Sequence, residues 1–216
     1  MYLPKQFEGQ LMAHAVPLMR AFPFASLISN DDDGLAFVSH LPLHLELLGQ
    51  GGSLDDLRVL GHVARGNPHW RYLAARPRAV VTFLGPHAYL SPQVYPDLTR
   101  VPTWNYLSVH CTVEARLVET PEAKDALLKK LIGDHEPRYA DQWRALDADY
   151  AHKMLSGIVG FELQITRLQC KLKLNQHRPE AFDRTLAMYE AGSDDERALA
   201  GWMKQLQAAW RSNKEA

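Results

Sequence analysis

From Phe24 to Leu174 the chain breaks into strand-type runs joined by turns and short loops, with few regular crossover helices between them. Phe24-Ala25-Ser26-Leu27-Ile28-Ser29 is followed by the polar turn Asn30-Asp31-Asp32-Asp33-Gly34 and a returning run, Leu35 to Ser39, which is a hairpin pattern. Further runs cover Leu41 to Leu48, Leu57 to Val63 and Ala79 to Leu84, the last closed by Gly85-Pro86. His87 to Leu90 extends or pairs with that strand, and Thr103 to Val118 alternates over a long strand. In the last run, Gly160 to Leu174, the apolar phase slips near Arg167, as a bulge would make it. Strands met in succession this way predict an antiparallel barrel with added peripheral helices, mainly β, and not a doubly wound sheet.

Helical spacing marks Lys5 to Arg20, with Pro17 as a break, and Thr120-Pro121 to about Ile132, with Gly133 as the stop. Trp143 to Ser156 is weakly helical. From Pro179 onward the pattern is two helices separated by Gly192-Ser193-Asp194, with Ser193 or Asp194 as the cap. Gly49-Gln50-Gly51-Gly52-Ser53 and Ser91 to Val101 read as loops. The expected organisation is a barrel domain over 1–178 and a helical appendage over 179–216 packed on it.

The 216 residues are 46% hydrophobic, enough for a sizeable core. Lys+Arg number 24 against 25 Asp+Glu, so no broad positive charge announces nucleic-acid binding. Cys111 and Cys170 lie far apart without zinc spacing, which suits reduced core thiols in a cytosolic protein. The start, MYLPKQFEGQ, has no signal-peptide pattern, and no apolar run is long enough to span a bilayer. A cytoplasmic protein without membrane contact is expected.

Two segments carry candidate chemistry. In Gly61-His62-Val63-Ala64-Arg65-Gly66-Asn67-Pro68-His69-Trp70 an apolar strand ends in small residues, a cation and an amide where a helix should begin. Arg65 offers a donor fork suited to phosphate, and Asn67 followed by Pro68 makes a good helix start. A plain strand-to-helix junction, with Asn67 capping and Arg65 solvated, explains the segment equally well. The second segment, Val101-Pro102-Thr103-Trp104-Asn105-Tyr106, suits either core aromatics in strand alternation or a ring-binding wall. Together the two suggest a flat, phosphorylated cofactor, read here as a flavin. Lys171 and Lys173 alternate with Leu172 and Leu174, which places both ammonium groups on one sheet face, either solvated or turned toward a bound anion. Histidines 40, 44, 62, 69, 87 and 110 show no ligand spacing, so no metal is expected. GxSxG and HExxH are absent.

The chain resembles the PaiB family of FMN-binding negative transcriptional regulators, within the FMN-binding split-barrel superfamily. Blocks that carry the resemblance include Met1-Tyr2-Leu3-Pro4, Pro23-Phe24-Ala25-Ser26-Leu27, His40-Leu41-Pro42-Leu43 and Gly61 to Pro68. They continue through Gly85 to Pro92, Val101 to Tyr106, Ile158-Val159-Gly160-Phe161-Glu162 and Lys171 to Gln176. The resemblance implies a split β-barrel of antiparallel Greek-key type, similar to pyridoxamine-phosphate oxidase, that forms a homodimer with FMN at the subunit interface. It implies phosphate on Arg65 and Asn67, with His62, and the backbone around His40 facing the ring. Ser91, Trp104 and Asn105 would line the cleft, with Lys171, Lys173 and Gln176 approaching from the neighbouring strand or subunit.

Three functions are then open. A flavin-binding regulator follows from the family description, although the basic residues of the C-terminal helices (Arg184, Arg197, Lys204, Arg211 and Lys214) are scattered among acidic ones and form no evident DNA-binding motif. An FMN-dependent oxidoreductase of the pyridoxamine-phosphate-oxidase or flavin-reductase kind is the second, with no catalytic residue identifiable. A haem-binding split barrel is the third, which the histidines permit without arguing for it.

Overall fold

A computed structural model of the chain describes residues 1–49, 52–97 and 99–215, with side chains through Gln207. Among the described residues seven strands are present: β1 (Phe24–Asn30), β2 (Ala36–Pro42), β3 (His44–Leu47), β4 (Leu57–Ala64), β5 (Arg78–Leu90), β6 (Thr103–Val118) and β7 (Ile158–Lys173). They form one antiparallel sheet in the order β2-β1-β5-β6-β7-β4-β3. The helices are α1 (Val16–Ala21), α2 (His69–Ala75), α3 (Pro121–His135), α4 (Tyr139–Arg144), α5 (Ala148–Ser156), α6 (Phe182–Glu190) and α7 (Asp194–Glu215).

The chain divides into two compact units. The larger comprises Leu11–Phe83 and Val109–Leu168, the smaller Met1–Gln10, Leu84–Ser108 and Gln169–Ala216. In the larger unit β1 and β2 form a hairpin in continuous register from Phe24↔Pro42 to Asn30↔Ala36. Asp31 closes its turn by accepting the backbone N–H groups of Asp33 and Leu35 through its carboxylate, while Gly34 takes the left-handed φ of 81°. β4 pairs with β3 on one side and β7 on the other. On one face of β4, Leu60 packs with Val118, Leu127 and Leu131, so α3 is held by its Leu stripe. Within the smaller unit, Gly9 N–H donates to the Cys170 carbonyl, and Met1 and Gln169 bond to each other twice.

Several boundaries differ from expectation. The segment before Pro17 is a 3-10 turn at Lys5–Phe7 and a π-helical turn at Leu11–Ala15, and Pro17 lies in the first turn of α1. Proline has no N–H to lose at that position, so it starts this helix and does not break one. β5 runs straight through Gly85-Pro86, because extended backbone accommodates the proline ring at the loss of one ladder donor. α3 continues past Gly133 to His135, since one internal glycine costs only about 1 kcal/mol. The weakly helical stretch is two helices, α4 and α5, the second capped by Asp147. In the loop expected over 49–53, Gln50 and Gly51 lie outside the described residues, while Ser53 forms a capping box with Asp56. Ser193 caps α7, paired reciprocally with Glu196.

Candidate functional site

The β4–α2 junction of the larger unit is built around Ser39. This buried hydroxyl, on β2, accepts from Asn67 Nδ2 at 3.0 Å and lies 2.8 Å from His69 Nδ1. The other end of the Asn67 amide accepts the His69 backbone N–H at 3.0 Å, so this side chain meets the first N–H of α2, whose N-cap position is Pro68 one residue later than expected, and ties the helix start to β2. Burial pushes the His69 pKa down to about 4, which keeps the ring neutral. Phe37 meets the His69 ring edge-on at 5.1 Å. His40, the next residue after Ser39, is exposed on the opposite face of β2, with Nδ1 3.0 Å from Ser26 Oγ.

Arg65 follows directly on β4. Its Nε donates to the Ser156 carbonyl at 2.7 Å and a terminal nitrogen reaches the Ile158 carbonyl at 3.4 Å, which fixes the guanidinium plane. The Trp70 indole N–H donates to the Arg65 carbonyl. Beside them lies a recess of about 200 Å³, lined by Arg65, Trp70, Val118, Glu119, Lys124 and Val159. Lys124, on α3, is only 6% exposed, and its ammonium donates to the Leu155 carbonyl at 3.3 Å. Its pKa is lowered by burial and then by the Arg65 charge, with Glu119 opposing. A buried ammonium next to a guanidinium, bonded to neutral carbonyls, leaves donors and positive potential for an anion. His62, half-buried on β4 opposite Gly160, has its Nδ1 buried without a partner, and burial lowers its pKa.

A second constellation lies in the smaller unit. Lys173 donates to Thr103 Oγ1 and to the Trp104 carbonyl, each at 2.6 Å. Burial and the charge of Lys171 lower its pKa. Lys171 donates to the Tyr2 carbonyl and sits between the Tyr2 and Tyr106 rings, and both ammonium groups lie over Tyr106. The Gln176 side chain is spent on backbone: Oε1 accepts from Leu174 N–H, and Nε2 donates to the Gln6 and Leu172 carbonyls. Ser91 caps the turn at Pro92–Val94 through Gln93 N–H. Trp104 is 53% exposed, edge-on to Tyr89 and tilted over His87. Asn105 is 0% exposed, and its amide is enclosed against the Tyr189 hydroxyl. The Tyr189 hydroxyl gives its own proton to the Tyr89 carbonyl.

The residues singled out by sequence thus fall into two groups. His40, His62, Arg65 and Asn67 belong to the larger unit, and Ser91, Trp104, Asn105, Lys171, Lys173 and Gln176 to the smaller. Asn67 is brought to Ser39 beside His40, and Asn105 and Lys173 share the walls of one cleft. Lys124 and Ser39 were not foreseen. A signal for Lys124 exists, since it stands three residues before Leu127 and seven before Leu131, on the apolar stripe of α3. Among the described residues no group of three or more His, Cys, Asp or Glu is placed to hold a metal, and no helix is long and apolar enough to cross a membrane.

The family described as "Putative FMN-binding domain" matches residues 1–167. The chain is 32% identical over 183 residues to "Protease synthase and sporulation protein PAI 2" of Bacillus subtilis, covering 83% of this chain and 84% of the relative. Among solved structures it is similar to the flavocytochrome Anf3 of Azotobacter vinelandii, with TM-score 0.59 and 16% identity over 79% of this chain and 72% of the other. It is also similar to the FAD and haem binding protein of Mycobacterium smegmatis, with TM-score 0.56 and 17% identity over 76% and 72%. At such identities the two structures speak for the fold alone. With the family match over most of the length and this relative, the chain belongs to the PaiB family of FMN-binding-domain proteins, and its fold is the split β-barrel.

Proposed function

We propose that the protein binds FMN and that Arg65 and Lys124 hold the phosphate. The observation that carries this reading is Lys124 itself. A buried ammonium sits beside a guanidinium, in a recess the size of a phosphoryl group and its neighbouring carbons, with a carbonyl as its hydrogen-bond acceptor. The donor set fits the group: a planar fork already oriented by the Ser156 and Ile158 carbonyls, and a point charge already desolvated. Asn67 and Ser39 hold the turn that presents Arg65, and the ring would lie toward the backbone around His40. Bound FMN supplies one- and two-electron transfer. The chain's part is to anchor and orient it; no side chain is assigned to proton transfer.

The test is the absorbance spectrum of the purified protein, with identification of the flavin released on denaturation, followed by FMN titration of variants. Charge-assisted hydrogen bonds contribute about 1.5–3 kcal/mol, so Arg65→Ala and Lys124→Met should each weaken FMN binding about ten- to a hundredfold. Affinity unchanged in both variants removes the recess from the site. A protein that neither carries nor takes up FMN sinks the cofactor reading.

The regulator role rests on the family description and on the relative's name, which speaks of protease synthesis and sporulation. A net charge of -1 gives direct DNA contact no support. Gel shifts at several salt concentrations test it, and the absence of salt-sensitive binding counts against it.

A further inference from the structure

A cavity of about 620 Å³ in the larger unit, within the size range of small-molecule sites, shares no residue with the Arg65–Lys124 recess. It opens where α1 and α3 both end beside β3. Arg20, His44, Asp134 and His135 give its polar lining, and Pro23, Leu43 and Leu45 its apolar side. The fold brings these groups together from three directions. α1 packs against β3, and the Leu43 N–H donates to the Pro23 carbonyl at 3.0 Å, which sets Arg20, in the last turn of α1, toward His44. The last turns of α3 are tied to β3 twice, by Asp134 on His44 and by Lys130 on Glu46.

His44 Nδ1 stands 2.6 Å from Asp134 Oδ2, in a pair whose side chains are 19% and 39% exposed. The carboxylate accepts the Nδ1 proton, which fixes the tautomer. Nε2 is then an acceptor in the neutral ring and a donor once the ring takes a second proton. Among the described residues Nε2 has no hydrogen-bond partner, and neither Arg20 nor His135 has an ion-pair or hydrogen-bond partner. The Asp134 charge is spent on His44, so Arg20 is the unopposed ion of the cavity. The C-terminal carbonyls of α3, the longer of the two helices, make their own side negative, which directs an anion to Arg20. A planar fork of donors matches a carboxylate, and a nitrogen able to accept or donate matches a hydroxyl or a carbonyl oxygen. The apolar side suits a short aliphatic chain.

We propose that this cavity binds a short hydroxy- or oxo-carboxylic acid, with the carboxylate on Arg20 and the second oxygen on His44 Nε2. The purified protein is titrated with lactate, pyruvate and propionate, and the response is read from the imidazole NMR signals of His44, assigned with a His44→Gln variant. Lactate or pyruvate should shift those signals saturably. Propionate, which lacks the second oxygen, should bind at least about tenfold more weakly. Arg20→Met, at an exposed position with little risk to folding, should weaken the tighter acid at least about tenfold. Arg65→Ala should leave the affinities unchanged, which keeps this result apart from the fate of the phosphate assignment. The proposal is overturned if neither lactate nor pyruvate gives a saturable shift, if propionate binds as tightly as they do, or if Arg20→Met binds as the wild type does. It is equally overturned if the acids displace FMN, because the cavity is then part of the flavin's own site.

Discussion

His69 shows how much one buried side chain can carry. Its ring is fully enclosed, bonded to Ser39 through Nδ1, with Nε2 unpartnered, and burial holds its pKa near 4 against an ordinary 6.5. In the unfolded chain the same histidine takes up a proton as pH falls through 6.5, while the folded protein resists until about 4. The unfolded state binds more protons in that window, so stability falls as pH falls from 6.5 to 4, by at most about 3 kcal/mol from this group. His14, His62 and His177 are shifted in the same direction and steepen the same slope. His69→Asn, which keeps a side-chain group where Nδ1 was, should make the loss of Tm between pH 6.5 and 4 shallower. An unchanged slope means that His69 is not the titrating group. At this scale the sequence singled out Arg65 and Asn67 as candidates, because a cation and an amide at a strand end are local patterns. It did not expose Ser39, whose role depends on a partner twenty-eight residues away.

Elements behave as units of register, and glycine shows where that register is tight. At Gly61 on β4 an added Cβ would stand 2.5 Å from Leu43 Cδ2 and 2.9 Å from the Phe161 ring edge, directly across the β4–β7 ladder. At Gly133 inside α3 nothing lies within 4 Å of the same added atom. Gly61→Ala should therefore destabilise by about 1–3 kcal/mol through overpacking. Gly133→Ala should stabilise by about 0.5–1 kcal/mol by restricting the unfolded chain. Thermal melts should move in opposite directions, by about 2–4 °C per kcal/mol; a Gly61→Ala protein as stable as wild type would show that β4 has room to give. The two glycines also mark what was legible. The sixteen-residue alternation of Thr103–Val118 specified β6 to the residue, Thr120 fixed where α3 begins, and of the two caps open for the last helix, Ser193 and Asp194, it is Ser193 that caps α7. Breakers misled wherever the surrounding element was strong. Gly85-Pro86 and Gly133 lie inside elements that packing sustains, which a composition signal cannot weigh, and Pro17 lies in the first turn of α1, where it is tolerated.

For the whole molecule, the unresolved term is exposed aromatic surface. Trp104 and Tyr89 project from β6 and β5 of the smaller unit, in edge contact at 6.3 Å and with His87 at 6.2 Å from the indole. An indole half open to water is costly surface, and aromatic groups of this kind are enriched where one protein meets another. The cover we propose is a second copy of the chain, the homodimer that the family resemblance implies. Lys173 is anchored on the Trp104 backbone carbonyl, while the indole makes ring contacts with Tyr89 and His87, so replacing the side chain leaves the Lys173 anchor in place. Trp104→Glu should then give a folded protein whose mass by light scattering is that of one chain, where the wild type gives two. If FMN lies at the subunit interface, that variant should also release it, although Arg65 and Lys124 are untouched. A wild type that is monomeric at every concentration would remove the dimer. A variant that stays dimeric would move the interface away from Trp104, and a monomeric variant that retains FMN at full affinity would place the flavin within a single chain.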